Sequence, residues 1–252
     1  MTEASIPGGT CLVFAAGDYY PEPTALPSYD CLLAADGGAD HAQQAGLDPN
    51  FTVGDFDSIS RKPTSDSTHI VLPAEKDDTD MVACLKLAWG KGYHQFHIYG
   101  GLGGRIDHSI ANVTTLCMLA QAGGIGFLHG QGTMVTAVSN GSLSFPSWKP
   151  KGNRMISVFS ATDTSEGVNV LGLKYELKHA QMDMTMSRGS GISNEFLDGQ
   201  PSVISVDAGT LLLTYPIETP QPRWESRLPA QRSLGDVTTE TSCHLKVHTS
   251  KP

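Results

Sequence analysis

With 252 residues, 39% of them apolar and 17% charged, the chain can fill one large or two modest packed domains, and this composition excludes a disordered or fibrous protein. A formal net charge of -9 excludes a non-specific grip on nucleic acid or on an anionic membrane surface, so an anionic ligand needs a metal ion or a few placed cations. Cys11, Cys31, Cys84, Cys117 and Cys243 are odd in number and contain no C-x-x-C pair, which speaks against a disulfide framework or a zinc site and for reduced thiols in a cytoplasmic protein. No stretch has the form of a signal peptide or the length of a membrane span.

Residues 1–9 read as a short N-terminal tail. From Thr10 to residue 138 short apolar runs alternate with helical patterns, the mark of an open, mostly parallel α/β sheet with helices on both faces. Strands are expected at Cys11–Ala16, Cys31–Ala35, Phe51–Val53, His69–Leu72, Phe96–Tyr99 and Gly126–His129. One helix is expected to bury Val82, Leu85 and Trp89, and another Ile106, Ile110, Val113, Cys117 and Ala120, because these residues recur three and four apart. Residues 139–218 change to brief runs of period two with frequent Gly, Ser and Asn, which predicts a C-terminal all-β sandwich domain. Within it Leu173, Tyr175 and Leu177 alternate with charged residues, and Val203–Val206 and Thr210–Tyr215 flank Asp207-Ala208-Gly209 as an expected hairpin. Residues 219–252 are Pro-rich, then polar without period, and read as a poorly ordered tail in which Trp224 is the exception.

Carboxylates recur at strand ends and helix starts: Asp36, Asp55, Asp57, Asp77, Asp78, Asp80 and Asp107. In an open α/β sheet the carboxyl ends of the strands line the ligand crevice, so Asp36, Asp55, Asp57 and Asp107 are expected to converge there although distant in sequence. Converged carboxylates repel one another unless a hard cation sits among them. Magnesium suits oxygen ligands and is typically shared between one or two carboxylates and substrate phosphates, and few histidines stand nearby to favour zinc. Asp55 and Asp57, two apart, can both face one ion. For Asp77, Asp78 and Asp80, capping of the following helix explains each carboxylate as well as catalysis does.

Gly100-Gly101-Leu102-Gly103-Gly104-Arg105 follows a strand and opens a helix, a geometry that brings backbone amides close to phosphates. Arg105 adds a guanidinium able to grip phosphate in a bidentate manner, Lys76 is a second candidate cation, and His108 is a candidate base or a structural helix-start residue. The same aspartates would equally serve a magnesium-dependent phosphohydrolase or a nucleotide sensor without turnover.

Ala35-Asp36-Gly37-Gly38-Ala39, Gly54-Asp55-Phe56-Asp57-Ser58, Asp77-Asp78-Thr79-Asp80 and Gly104-Arg105-Ile106-Asp107-His108 together resemble, in residue type, order and spacing, the thiamine pyrophosphokinase family. The segment from Ser187 to Phe196 resembles that family's thiamine-site segment. The resemblance covers roughly residues 10 to 216. It implies a homodimer whose α/β domain holds ATP and magnesium and whose β-sandwich domain completes the thiamine pocket across the subunit interface. It also implies the reaction, in which the thiamine hydroxyl attacks the β-phosphorus of ATP and AMP leaves. On this likeness Asp55, Asp57 and Asp80 hold the metal with Asp36 in support. Asp36, Gly37, Lys76, Asp77, Gly104 and Arg105 bind ATP and its phosphates. Asp107 lies near the thiamine hydroxyl, and Ser190, Ser193 and Asn194 bind thiamine.

Overall fold

The computed structural model describes residues 9–20, 25–54, 68–73, 77–185, 193–237 and 240. Thr10–Phe14 (β1), Cys31–Ala35 (β2), Phe51–Gly54 (β3), Thr68–Val71 (β4), Gln95–Tyr99 (β5) and Ile125–Gly130 (β6) pair in parallel in the order β6-β5-β1-β2-β3-β4. All six expected strands are present. Strands β1 and β2 are apolar almost throughout because helices cover both faces of this part of the sheet. On one face Leu12, Phe14, Leu32 and Tyr99 pack against Ala42 of Gly38–Gln44 (α1). On the other, Cys11, Val13, Cys31 and Leu33 join the buried sides of Asp80–Gly90 (α2) and Ile106–Gln121 (α3). The three clustered thiols Cys11, Cys31 and Cys84 are free and buried there.

The sheet does not stop at the expected domain boundary. Residue 138 lies inside Thr133–Ser139 (β7), which pairs antiparallel with β6, and the sheet runs on through Thr210–Pro216 (β14), Met155–Ser160 (β9) and Asn194–Glu195 (β12) to a total of ten strands. A second, five-stranded sheet contains Gly141–Phe145 (β8), Thr164–Leu171 (β10), Leu177–Asp183 (β11), Ser202–Ser205 (β13) and Arg223–Ser226 (β15), in the order β11-β10-β13-β8-β15. The sandwich core is shared: Phe127 of β6 and Met134 of β7 pack with Leu143, Val170, Ile204 and Leu213. One wall of the β-sandwich is thus the far half of the α/β sheet, while α3 covers the opposite face of β6 and β7. Each fully buried Leu or Phe in this core contributes about 1.5–3 kcal/mol.

Four expectations are corrected. Of the expected stripe of α3, Ala120 is buried and Val113 and Cys117 pack half-buried on the core, but the buried side extends to Asn112, Thr115, Leu116 and Leu119, whereas Ile106 and Ile110 are 74% and 59% exposed. The helix is rotated by about one residue, about 100°, from the apolar stripe, because Asn112 and Thr115 satisfy their polar groups inside, on Gly101 O and Ala111 O. The strands flanking Asp207–Gly209 are not a hairpin. β13 and β14 lie in different sheets, and the segment between them, with Gly209 at φ +115°, carries the chain from one to the other. Of the alternating Leu173, Tyr175 and Leu177, Tyr175 is half exposed in a turn ahead of β11 rather than in a strand. Residues 219–237 are also no loose tail: β15 pairs with β8, and Trp224 packs on the sandwich core and donates its indole N–H to Gln95 Oε1 at 3.2 Å.

Candidate active site

The chain progresses outward from β1 to β4 in one direction, then returns to place β5 on the other side of β1. The carboxyl ends of β1 and β5 therefore form the switch point at which an open α/β sheet offers a crevice. A cleft of about 540 Å³ lies there, walled by the loops that follow β1, β2 and β5, by the turn before α2 and by the start of α3. Two close approaches shape it. The Gly17 N–H donates to Gly100 O at 2.9 Å, and Gly100, at φ +68°, leaves no room for a side chain, since a Cβ there would lie 2.5 Å from Ala15 O.

Asp36, Asp78, Asp80, Gly104 and Arg105 all line this cleft. Asp36 takes the left-handed conformation, φ +46°, where the chain leaves β2. Its N–H donates to Val53 O (2.9 Å) and its carbonyl accepts from Ala39 N–H (3.1 Å), which joins β3 to the start of α1. The turn before α2 is capped by Thr79, whose hydroxyl accepts from Val82 N–H at 3.3 Å. Capping is therefore done by neither Asp77 nor Asp78. Asp80 occupies the first turn, where the positive end of the helix favours a carboxylate. Asp78 pairs with Lys86 Nζ at 2.6 Å.

Arg105 and Asp107 sit at the exposed start of α3. The guanidinium donates from Nη2 to Asp107 Oδ2 (2.6 Å) and from Nε to Oδ1 (3.2 Å). These hydrogen bonds hold the Asp107 carboxyl below its usual range and raise Arg105. Asp107 is thus ionised at neutral pH and a poor proton acceptor, better suited to orienting a hydroxyl by accepting its hydrogen bond.

The structure brings together only part of the expected set. Gly37 and Asp77 adjoin cleft residues, and Asp107 stands at the rim beside Arg105. Asp55, Asp57, Lys76 and Ser190 lie outside the described residues. Ser193 and Asn194 are remote: β12 is five strand positions from β5, roughly 24 Å at about 4.8 Å each. Asn194 is fully buried and its amide is engaged within the chain, donating to Tyr175 O (2.7 Å) and accepting from the N–H groups of Tyr175 (3.0 Å) and Glu195 (2.9 Å). Asp18, Thr79, His108 and Asn112 also line the cleft. Of these, His108 is the candidate base already read at the start of α3, and Asp18 has as its signal its place in the loop directly after the first strand.

Among the described residues no group of three or more His, Cys, Asp or Glu is gathered tightly enough to cage a metal ion. The donor set still fits magnesium. Asp18, Asp36 and Asp80 line one cleft with hard oxygen donors, and magnesium is usually held by one or two carboxylates with the remainder of its sphere from water and phosphate.

A doubly wound sheet with a glycine-walled, aspartate-lined crevice at its switch point defines a phosphate-handling enzyme of the nucleotide-binding α/β class. Residues 24–125 match the family model for the catalytic domain of thiamin pyrophosphokinase, and residues 148–211 match that for its vitamin B1 binding domain. The chain belongs to the thiamin pyrophosphokinase family. It is 26% identical over 187 residues to the thiamine pyrophosphokinase of Bacillus subtilis (strain 168), a match covering 72% of this chain and 85% of that one. It is 24% identical over 166 residues to thiamin pyrophosphokinase 1 of Caenorhabditis elegans, covering 62% and 68%. The crystal structure of thiamine pyrophosphokinase from Bacillus subtilis superposes with a TM-score of 0.72 at 23% identity, over 82% of this chain and 98% of that one, and has the same fold.

Proposed function

We propose that the cleft binds magnesium–ATP and that its residues position the β-phosphorus for attack by the hydroxyl of thiamine. The chain is a thiamine diphosphokinase, which forms thiamine diphosphate and AMP. The observation that carries the assignment of the cleft is the convergence, at one switch point, of the Gly100–Arg105 loop with the aspartates after β2 and before α2. Transfer of this kind is catalysed mainly by positioning and electrostatics, which such a site provides without a covalent intermediate.

In this reading Asp55, Asp57 and Asp80 hold the metal, with Asp36 in support. Bound there, magnesium offsets charge on the phosphate oxygens. Gly37, Asp77 and the amide-rich loop ending at Gly104 seat the nucleotide, and Lys76 and Arg105 meet the phosphates. Arg105 can turn from Asp107 to phosphate because both side chains are exposed. Asp107 then accepts the hydrogen bond of the thiamine hydroxyl and aims it.

Ser190 and Ser193 belong to the thiamine pocket in this reading. Asn194 contributes by holding that segment to Tyr175 rather than by touching thiamine. Because β12 is far from the cleft within one chain, the pocket is completed by a second copy, so the working unit is a homodimer. Among the described residues no helix is long and apolar enough to cross a membrane. The free thiols are in keeping with a cytoplasmic enzyme.

The test is incubation with ATP and magnesium, with and without thiamine, following AMP and thiamine diphosphate by chromatography beside Asp57→Ala and Asp80→Asn. Equimolar products that require thiamine and nearly vanish in both variants support the reading. Thiamine-independent ADP or phosphate would point to a hydrolase, and intact ATP to a sensor. Mixing Asp57→Ala with a Ser190→Ala/Ser193→Ala chain tests the shared site, since mixed dimers regain activity only if one cleft is built from two chains.

A further inference from the structure

The segment after β15 leaves the second sheet and travels along the back of α2 towards the cleft. Gln231 N–H donates to Ala122 O (2.8 Å), and Gln231 O accepts from the Trp89 indole N–H (2.8 Å). Ala230, Leu234 and Val237 pack on the core cluster beneath α2 and α3. Asp236 O accepts from Lys86 Nζ at 3.3 Å, and the same Nζ holds Asp78 Oδ2 at 2.6 Å. The Lys86 and Asp78 side chains are only 14% and 18% exposed, so this pair is less screened than an ordinary surface ion pair. The whole segment lies beyond the residues that the two family models match.

We propose that residues 228–237 are a strap that fixes the Asp77–Asp80 turn of the ATP site through Lys86, which acts as a positioning residue. Lys86 reaches two partners at once, the strap backbone and Asp78 on the cleft wall. A lysine has three donors on a flexible stem, and anchoring one on Asp236 O limits where the ammonium can sit, and hence where Asp78 is held. Lys86 also offsets the charge of Asp78 on the wall that it shares with Asp36 and Asp80. The strap therefore makes the geometry of the acidic turn depend on the chain beyond the sandwich.

This inference rests on the reading of that turn as part of the ATP site. It is tested with Lys86→Met, Lys86→Arg and a chain ended after Ser233, which keeps the Gln231 contacts and removes the Asp236 carbonyl. In Lys86→Met the KM for magnesium–ATP is expected to rise roughly tenfold while kcat changes less than about threefold, the scale of one charge-assisted hydrogen bond. Lys86→Arg should restore most of the affinity, and the shortened chain should move KM in the same direction as Lys86→Met.

Hydrogen exchange at the amides of residues 78–83 is read in parallel and should quicken in Lys86→Met and in the shortened chain. A merely structural loss would reduce the active fraction, and so kcat, without changing KM. Wild-type KM and wild-type exchange in Lys86→Met would overturn the proposal, and that full-length variant decides if the shortened chain fails to fold. Should the wild type make no thiamine diphosphate, the functional reading fails, whereas the exchange at 78–83 still judges the strap.

Discussion

Asn194→Ala separates a pocket residue from a structural one. Asn194 is fully buried, and its amide closes a two-way bridge to the peptide groups of Tyr175, 2.7 Å to the carbonyl and 3.0 Å from the N–H, while also accepting from Glu195 N–H. Truncation removes these bonds and leaves the Tyr175 groups without their partner. At about 1 kcal/mol for each of the three lost bonds, plus part of the desolvation of what remains, the expected destabilisation is about 3–5 kcal/mol. In a chain of this size that lowers the melting temperature by roughly 6–20 °C, measured by calorimetry or by far-ultraviolet circular dichroism. Steady-state kinetics at low temperature should show kcat lowered and the KM for thiamine changed by less than about threefold, well short of the effect of losing a direct hydrogen bond to a ligand. A melting temperature within about 2 °C of wild type, accompanied by a large rise in the KM for thiamine, would refute this reasoning and return Asn194 to the pocket.

Gly100→Ala forces a Cβ against Ala15 O in a left-handed backbone, which costs about 1–3 kcal/mol and opens the contact between the loops after β1 and β5. Its kcat/KM for ATP should fall at least roughly tenfold with the fold retained, as circular dichroism would show. Burial and the neighbouring His129 push His97 down to about 3, against an unfolded value near 6.5, so the folded state resists the proton that the unfolded chain accepts. Stability is therefore complete above about pH 6.5 and is lost towards about pH 3, at up to about 1.4 kcal/mol per pH unit. Denaturant unfolding at several pH values should show that slope, and His97→Gln should flatten it. Trp224→Ala removes a ring packed on the sandwich core and the bond to Gln95, so it should cost about 2–4 kcal/mol by denaturant unfolding, whereas a residue in a loose tail would cost nothing.

What was legible in the sequence is what local chemistry alone decides. The parallel strands are apolar on both faces because helices must cover them, so β1 and β2 were readable from composition and length, and Leu85 and Trp89 of α2 lie on the face that their spacing assigned. Of Asp36, Asp55, Asp57 and Asp107, the aspartates expected to converge at the carboxyl ends of the strands, Asp36 lines the cleft because it directly follows β2, Asp107 stands at the rim beside Arg105, and Asp55 and Asp57 lie outside the described residues.

What failed depended on partners that no local pattern names. α3 carries two apolar stripes, and the one that turns inward is chosen by Asn112 reaching Gly101 O, a contact eleven residues away. Spacing cannot see that a polar residue will be satisfied inside. Asn194 is the converse case: its residue type suits a ligand, but its partner is Tyr175, brought near only when β12 joins the edge of the large sheet. The segment after residue 219 lacks periodicity because a single four-residue strand and a strap held by backbone carbonyls need none. Its folding depends on receptive surfaces, the β8 edge and the back of α2, which form from residues far earlier in the chain. The Asp77–Asp80 turn therefore has its motif written locally, while the support for its geometry comes from a segment about 150 residues later in the chain, Lys86 and Asp236 being 150 positions apart.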